Sequence, residues 1–177
     1  YGTARECKEV LARFLGTSSD RMALLGNASD AISGFANSLT LGAGDEVIIT
    51  DLEFPSNVLP WIQLQSKGIK LRVISERDQQ IYPEDVLHAV TPRTRVIALS
   101  LVSYKTGVIL PVTEIFSGID RGRILTLLDA TQGLGRVPVP LSGVDFCVAS
   151  SYKWLLATHG LAVVICSDRF LERAERQ

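Results

Sequence analysis

Residues 124–132 read ILTLLDATQ, and this stretch decides the fold. Its first five residues form a continuous run of mostly apolar, strand-favouring side chains, as expected for a strand buried on both faces of a sheet. A carboxylate, Asp129, ends the run. Similar runs recur along the chain and alternate with segments of helical periodicity. The sequence therefore predicts an α/β fold with a mostly parallel sheet between two helical layers, a three-layer α/β/α arrangement.

The other predicted elements lie on both sides of this stretch. Gly16 is expected to end the first helix, and Pro83 suits the first turn of a later one. The 177 residues are enough for about one domain. We expect residues 1–177 to form a single large domain that is incomplete at both ends. Strands are predicted at 22–25, 47–49, 71–74, 96–101, 124–128, 146–149 and 161–166, and helices at 5–15, 29–41, 83–90, 112–119 and in a segment running through residue 61.

Composition excludes several classes of function. With 18 basic and 19 acidic residues the net charge is −1, which provides no basic surface for nucleic acid. We also expect no membrane association, since no apolar run approaches the ~20 residues of a spanning helix and no secretory signal precedes the domain. Cys7, Cys147 and Cys166 are widely spaced and resemble small buried apolar residues. With only His88 and His159 beside them, they predict a cytoplasmic protein without a metal site.

Ligands of open parallel sheets bind beyond the carboxyl ends of the strands, so the residues that follow each strand are the informative ones. In the segment 26–31 a strand passes through small residues into a helix. Free N–H groups there, together with the Ser29 hydroxyl, suit a phosphate group. The alternative is that Ser29 is a simple helix N-cap. The lack of a glycine-rich fingerprint in this segment disfavours a nucleotide-binding loop, although a doubly wound nucleotide-binding domain stays an alternative.

Asp129 and Lys153 follow two neighbouring predicted strands. A carboxylate at the end of an apolar strand needs a cation or hydrogen-bond donors, and the protonated ring nitrogen of a cofactor would be such a partner. Gln132 would face the same ligand if a helical turn begins here. Partial desolvation of Lys153 would favour the neutral amine that reacts with aldehydes. The alternatives are a helix-capping Asp129 and a Lys153 that extends into solvent.

Phe54 lies in the segment 53–57, which follows the predicted strand at 47–49. An aromatic side chain held in place by the following Pro55 could stack on a planar ring. The alternative is an ordinary core phenylalanine.

The order of these motifs resembles that of the class V aminotransferase family of fold-type I pyridoxal-phosphate enzymes. This family includes cysteine desulfurases, selenocysteine lyases, kynureninases and isopenicillin-epimerase-like proteins. The resemblance covers essentially the whole chain, and the segment from Asp129 to Lys153 is its most specific part. It implies the large domain of a fold-type I pyridoxal-phosphate-dependent transferase, without the C-terminal small domain. In the family, that small domain supplies the arginine that binds the substrate carboxylate and, in desulfurases, the nucleophilic cysteine.

The resemblance implies catalytic roles for Lys153 and Asp129. Lys153 would hold pyridoxal 5'-phosphate as a Schiff base and move the proton at the substrate α-carbon. Asp129 would keep the pyridine nitrogen protonated, so that the ring accepts electrons. Gln132 would hydrogen-bond the phenolic oxygen of the cofactor, and Phe54 would stack on its ring.

Four further residues correspond to phosphate contacts in the family. Ala28 and Ser29 match a small-Thr pair whose backbone and hydroxyl groups hold the phosphate. Ser150 and Tyr152 match additional contacts, with Tyr152 at a position where desulfurases often carry histidine.

The function implied is that of an enzyme acting on a small amino-acid substrate, expected to be a homodimer. Its reaction would be that of a C–S lyase of the cysteine desulfurase or selenocysteine lyase kind, or of an aminotransferase. Two departures favour the kynureninase-like and epimerase-like branches as an alternative: Phe54 replaces the usual histidine of desulfurases, and Tyr104 replaces their usual asparagine. A non-catalytic scaffold with the same fold is a further alternative.

Overall fold

The computed structural model describes residues 2–174. None of the helices in this part of the chain is long and apolar enough to cross a membrane. The strands are β1 (Met22–Leu25), β2 (Glu46–Thr50), β3 (Lys70–Ile74), β4 (Thr94–Ser100), β5 (Leu125–Asp129), β6 (Phe146–Ser150) and β7 (Ala162–Cys166), and the α-helices are α1 (Gly2–Leu15), α2 (Ala28–Asn37), α3 (Leu59–Leu64), α4 (Pro83–His88), α5 (Val112–Ser117) and α6 (Asp168–Arg173).

The strands form one sheet in the order β1-β7-β6-β5-β4-β2-β3. Strands β2 to β6 pair in parallel, whereas β7 pairs antiparallel with both β1 and β6. β1 consequently runs in the same direction as the parallel strands. This confirms the predicted mostly parallel sheet, and it brings the carboxyl ends of β1, β2, β4, β5 and β6 to the same edge.

Each face of the sheet carries its own hydrophobic core. On one face α1, α4 and α5 contribute Ala12, Val86 and Phe116 to a cluster with strand residues. On the other face α2 and α3 contribute Phe35 and Trp61, and α6 joins the same cluster. Because both faces are covered by helices, the predicted three-layer α/β/α arrangement is confirmed.

Two predicted helices differ most from the observed ones, and the others differ by two or three residues at one end. The helix predicted to reach residue 41 ends at Asn37, because the Ser38 hydroxyl donates to the Phe35 carbonyl and closes the last turn. The helix predicted through residue 61 is divided into a 3₁₀ turn at 55–57 and the separate helix α3. A proline occupies the first turn of each part, Pro55 in one and Pro60 in the other, which suits two helix starts rather than one long helix.

A buried ion cluster holds together the edge of the sheet opposite the strand carboxyl ends. Asp145 precedes β6 and is fully buried. Its carboxylate accepts bonds from Arg121 Nη2 at 3.1 Å and Arg169 Nε at 3.0 Å, and also from the Thr126 amide at 2.9 Å. Burial alone would raise the pKa of Asp145, but the bonds from Arg169 and Thr126 and the charges of both arginines outweigh it. The pKa is therefore lowered.

Replacing Asp145 by Ala is expected to lower the free energy of unfolding of the full-length protein by about 3 kcal/mol, because the two arginines lose their buried partner. Since the pKa of Asp145 is lowered on folding, this stabilisation is complete above the ordinary value of 3.8 and is lost as the pH falls further. Urea unfolding at neutral and acidic pH measures both effects. The control is Asp120→Ala, whose exposed carboxylate pairs with Arg123 at 3.5 Å and should contribute under about 1 kcal/mol. Equal losses for the two variants would contradict this expectation.

Candidate active site

A pocket lies at the sheet edge where the strand carboxyl ends meet. It contains about 520 Å³ of space that no protein atom occupies, part of which is open to solvent. Its wall is formed by the first turn of α2 and by residues at or after the ends of β2, β4, β5 and β6. The residues that line it are Ala28, Ser29, Phe54, Ser56, Ser100, Val102, Tyr104, Asp129, Thr131, Gln132, Ser150, Tyr152 and Lys153.

Asp129 is the last residue of β5 and is 5% exposed. Its Oδ1 accepts a hydrogen bond from the Thr131 amide at 2.9 Å. Burial raises the pKa of Asp129, and the bonds from Thr131 oppose this increase only in part. A carboxyl group in this environment would be stabilised as an anion by a cationic ligand group in the pocket.

Thr131 connects the segment after β5 to the end of β6. Its hydroxyl accepts the Ser150 amide at 3.1 Å, while its own amide bonds Asp129. The turn continues with the amides of Gly133 and Leu134 donating to the Ala130 carbonyl, so Gln132 lies in a helical turn. This is the condition under which Gln132 is expected to face the same ligand as Asp129.

Gly135 allows this connection to pass close to the segment that carries Lys153. It has a φ of +98°, and a Cβ at this position would lie 2.6 Å from the Trp154 carbonyl oxygen. Any other residue would therefore have to displace the backbone next to Lys153.

Lys153 reaches the pocket from the turn after β6. Its Nζ lies 5.4 Å from the centroid of the Tyr152 ring. Lys153 is exposed in the described part of the chain, so the partial desolvation predicted for it is not observed there. The Tyr152 ring also stacks on the ring of His159, with the centroids 4.1 Å apart. No local sequence pattern points to His159, since its stacking depends on how the turn after β6 folds back.

The first turn of α2 forms the opposite side of the pocket. Asn27 is the N-cap of this helix, and its side chain accepts the Asp30 amide at 2.7 Å. The alternative that Ser29 is the cap is therefore wrong. Ser29 lies in the first turn, exposed at the pocket wall beside the buried Ala28. The first N–H groups of a helix have no intrahelical acceptor, and this end carries partial positive charge, so an anion is favoured here.

Phe54 contributes an aromatic face to the pocket. It is 47% exposed, which excludes an ordinary core role. Its ring contacts that of Tyr104 edge to face, with centroids 5.0 Å apart and planes at 90°. Tyr104 supports Phe54 from the side, which leaves an aromatic surface for a planar ligand.

The structure places all eight predicted site residues in one pocket wall. Sequence reasoning did not assign Ser56, Ser100, Val102 and Thr131, which also line it. Ser100 had a usable signal, because it is the last residue of β4 and so follows the strand-end rule. The others depend on how loops pass across the sheet edge.

The groups that line the pocket suit a planar ligand that carries a positively charged ring and a negatively charged substituent. The buried carboxylate of Asp129, the amine of Lys153, the face of Phe54 and the start of α2 surround the same volume. These are the complementary partners for a pyridinium nitrogen, an aldehyde, an aromatic ring and a phosphate, respectively. The donor set therefore fits pyridoxal phosphate, with Ser150, Thr131 and Tyr152 completing the polar wall.

Fold and pocket together define the large domain of a fold-type I transferase. The sequence profile named aminotransferase class-V matches residues 2–177, and the chain belongs to this family. A probable cysteine desulfurase of Methanothermobacter thermautotrophicus is 31% identical, over 92% of this chain and 42% of that protein. Isopenicillin N epimerase of Amycolatopsis lactamdurans is 31% identical, over 96% of this chain and 44% of that protein.

Solved structures have the same fold. An apo cysteine desulfurase of Thermococcus onnurineus NA1 superimposes with a TM-score of 0.90 at 25% identity, covering 97% of this chain and 44% of that chain. A mutant of C-DES with glycine covalently linked to its PLP cofactor gives a TM-score of 0.87 at 22% identity, covering 96% and 47%. The chain thus spans less than half the length of the relatives that it matches.

Proposed function

We propose that the full-length protein is a pyridoxal-phosphate-dependent enzyme acting on an amino acid, as a C–S lyase of the cysteine desulfurase or selenocysteine lyase kind or as an aminotransferase. The observation that carries the proposal is the single pocket formed by Asp129, Lys153, Phe54 and the first turn of α2. Family membership and the relatives named as probable cysteine desulfurases support the same reaction class.

The chain's own residues would hold the cofactor at each of its functional groups. Lys153 would provide the covalent attachment, Asp129 the anionic partner of the ring nitrogen, and Gln132 a hydrogen bond to the phenolic oxygen. Phe54 would cover one face of the ring. When bound, pyridoxal phosphate supplies an aldehyde that bonds the substrate amine and a ring that accepts electrons from the α-carbon.

The phosphate would be held by the opposite wall. Ala28 and Ser29 offer backbone N–H groups and a hydroxyl at the positive end of α2. Ser150 at the end of β6 and Tyr152 in the turn after it add hydroxyl groups. These contacts would fix the orientation of the ring between Asp129 and Phe54.

After the substrate binds, the amine of Lys153 would remove the proton from the α-carbon and return it later. An amine in reach of that carbon is a general acid and base of the kind that contributes about 10²–10⁴-fold. Phe54 has no titratable group, so it would cover one side of the site without taking part in proton transfer. We assign proton movement at the substrate to Lys153.

Two of the three described cysteines, Cys147 and Cys166, are unsuited to act as the sulfur acceptor of a desulfurase. Burial raises the pKa of Cys147, and it raises that of Cys166 to about 11. Both thiols stay protonated at neutral pH, whereas the thiolate is the nucleophile. If the enzyme transfers sulfur to one of its own cysteines, we propose that this residue is neither Cys147 nor Cys166.

A second candidate function is a kynureninase-like or isopenicillin-epimerase-like reaction. Phe54 and Tyr104 favour it, because an aromatic pair replaces the histidine and asparagine usual in desulfurases. The similarity to isopenicillin N epimerase also supports this second candidate function. Phe54 can only stack and exclude water, so in a kynureninase-like or epimerase-like reaction this position would supply no acid–base group.

Two measurements on the full-length protein test the proposal. The absorption spectrum after incubation with pyridoxal phosphate should show a visible band that is absent from Lys153→Ala, and a protein without such a band would contradict the cofactor assignment. A substrate panel then tests the reaction. Release of alanine from cysteine or selenocysteine supports the C–S lyase, and amino transfer to a keto acid supports the aminotransferase. Anthranilate from kynurenine, or inversion of an amino-acid stereocentre, supports the second candidate.

We also propose that the protein is a cytoplasmic homodimer. Large apolar side chains on its surface support an interface, with Leu156 at 87%, Phe14 at 63% and Leu59 at 61% exposure. The described cysteines are free thiols, which is compatible with a reducing compartment. Light scattering of the full-length protein tests the dimer, and a monomer at micromolar concentration would contradict it.

A further inference from the structure

Glu53 lies behind the pocket wall, next to Phe54, and is 5% exposed. Its Oε1 accepts the Thr50 hydroxyl at 2.9 Å and the Ser100 amide at 3.0 Å. Its Oε2 accepts the Asn57 side-chain amide at 2.8 Å and the Ser100 hydroxyl at 2.6 Å. One carboxyl group therefore joins the end of β2, the end of β4 and the 3₁₀ turn at 55–57.

The direction of these bonds is largely fixed. The backbone amide of Ser100 can only donate. The side chain of Asn57 is oriented by Trp61, whose Nε1 donates to its Oδ1 at 3.4 Å and leaves its Nδ2 for Glu53. Oε1 of Glu53 thus faces the Ser100 amide, and Oε2 faces the Asn57 side-chain amide; both groups can only donate. The hydroxyl groups beside them can donate or accept. The side chain at position 53 therefore needs two oxygens that accept hydrogen bonds.

The groups held by Glu53 belong to the pocket. Ser100 lines the pocket and is the cross-strand neighbour of Asp129 in the register of β4 and β5. Phe54 follows Glu53 directly and precedes the turn that Asn57 anchors. Because Phe54 is half exposed, burial of its own ring contributes only part of what holds it in place.

Burial raises the pKa of Glu53 to about 7, and the bonds from Ser100, Asn57 and Thr50 lower it only in part. A buried carboxyl group held without a cationic partner stabilises a fold less than a well-packed apolar side chain does. The bond pattern around Glu53 is thus better explained by the geometry that it gives to the pocket wall than by a contribution to stability.

We propose that Glu53 is a positioning residue of the site, whose carboxyl group fixes the Phe54 ring and the Ser100 hydroxyl at the pocket wall. Its effect on the cofactor rests on the proposed function, whereas its effect on the wall does not. Glu53 touches neither cofactor nor substrate in this role and acts through Phe54 and Ser100.

Glu53→Gln is the informative variant, because its amide nitrogen must face either the Ser100 amide or the Asn57 side chain, and both are donors. The matched control is Glu46→Gln. Glu46 is 4% exposed at the amino end of β2, the strand that precedes Glu53, and accepts bonds from Arg72 and Thr91, away from the pocket. Glu46→Gln should lower stability without changing the pocket wall.

The experiment compares these variants in the full-length protein by two readouts. Hydrogen exchange of the apo protein should increase at least about tenfold at the amides of Phe54, Ser56, Asn57 and Ser100 in Glu53→Gln, and not in Glu46→Gln. The affinity for pyridoxal phosphate should fall about tenfold in Glu53→Gln only, with weaker visible circular dichroism of the bound cofactor. If Glu53→Gln does not fold, Glu53→Asp, which withdraws the carboxyl group by one methylene, is measured with the same expectations.

A double-mutant cycle with Phe54→Leu separates positioning from general destabilisation. If Glu53 acts through Phe54, the two losses of cofactor affinity are not additive. Unchanged exchange at those four amides, additive losses, or equal effects of Glu46→Gln would overturn the proposal. A wild-type protein that binds no pyridoxal phosphate overturns the proposed function instead, and the exchange comparison still decides the role of Glu53.

Discussion

Lys153→Ala is expected to lower kcat by at least about 10⁴-fold, the largest effect of any single substitution in this chain. The substitution removes the covalent attachment of the cofactor and the only amine proposed to move the α-carbon proton. General acid–base catalysis alone contributes about 10²–10⁴-fold, and the loss of attachment adds to it. The measurement is steady-state turnover of the full-length variant with the substrate identified in the panel.

The control for this variant is Lys105→Ala. Lys105 is exposed and adjacent to Tyr104 at the rim of the pocket, but it does not line the pocket. Its removal changes the net charge by the same amount and should leave kcat within about twofold. Comparable losses in both variants would show that positive charge near the pocket, rather than the amine of Lys153, supports activity.

Asp129→Asn is expected to lower kcat by about 10²–10³-fold, the range observed when one preorganised electrostatic partner of a reaction is removed. The amide has nearly the same shape as the carboxyl group and can still accept the Thr131 amide bond, so the loss reports the missing charge opposite the ring nitrogen. Steady-state turnover and the pH profile of kcat measure it. A variant with wild-type turnover would remove Asp129 from the catalytic residues.

The same substitution should stabilise the apo protein, which is opposite to its effect on activity. The pKa of Asp129 is raised by burial, so its folded state binds the proton more tightly than its unfolded state. The contribution of the protonated Asp129 to stability is therefore fully present below its ordinary pKa of 3.8. This contribution is lost as the pH rises through the pKa of Asp129 in the folded state. Asparagine cannot ionise, so at neutral pH Asp129→Asn is expected to remove the destabilisation caused by the buried carboxylate. A lower thermal midpoint for the apo variant would contradict the electrostatic explanation.

The strand runs and the strand-end rule predicted much of the fold and of the pocket. Continuous apolar runs such as 124–128 reveal buried strands, and the direction of parallel strands places Asp129 and Lys153 at the same edge. The limits of helices were harder to predict, because they depend on local caps. The hydroxyl of Ser38 ends α2 early, and two prolines divide the helix expected through residue 61.

Other features of the site depend on tertiary contacts that no local pattern contains. The stacking of His159 on Tyr152 and the bond from Ser150 to Thr131 arise only when separate turns meet. The network around Glu53 requires β2 and β4 to lie side by side, although these strands are about fifty residues apart in the chain. The exposure of Lys153 corrects an expectation based on its position after an apolar strand, since the turn after β6 carries it out of the sheet.

The most direct test of the central claim is to reduce the full-length protein with borohydride in the presence of pyridoxal phosphate and to map the modified peptide by mass spectrometry. Reduction converts a lysine-linked cofactor into a stable secondary amine. The expected result is one stoichiometric adduct on Lys153, with Lys105 unmodified. A cofactor that is bound but not attached to Lys153, or an adduct distributed over several surface lysines, would contradict the assignment.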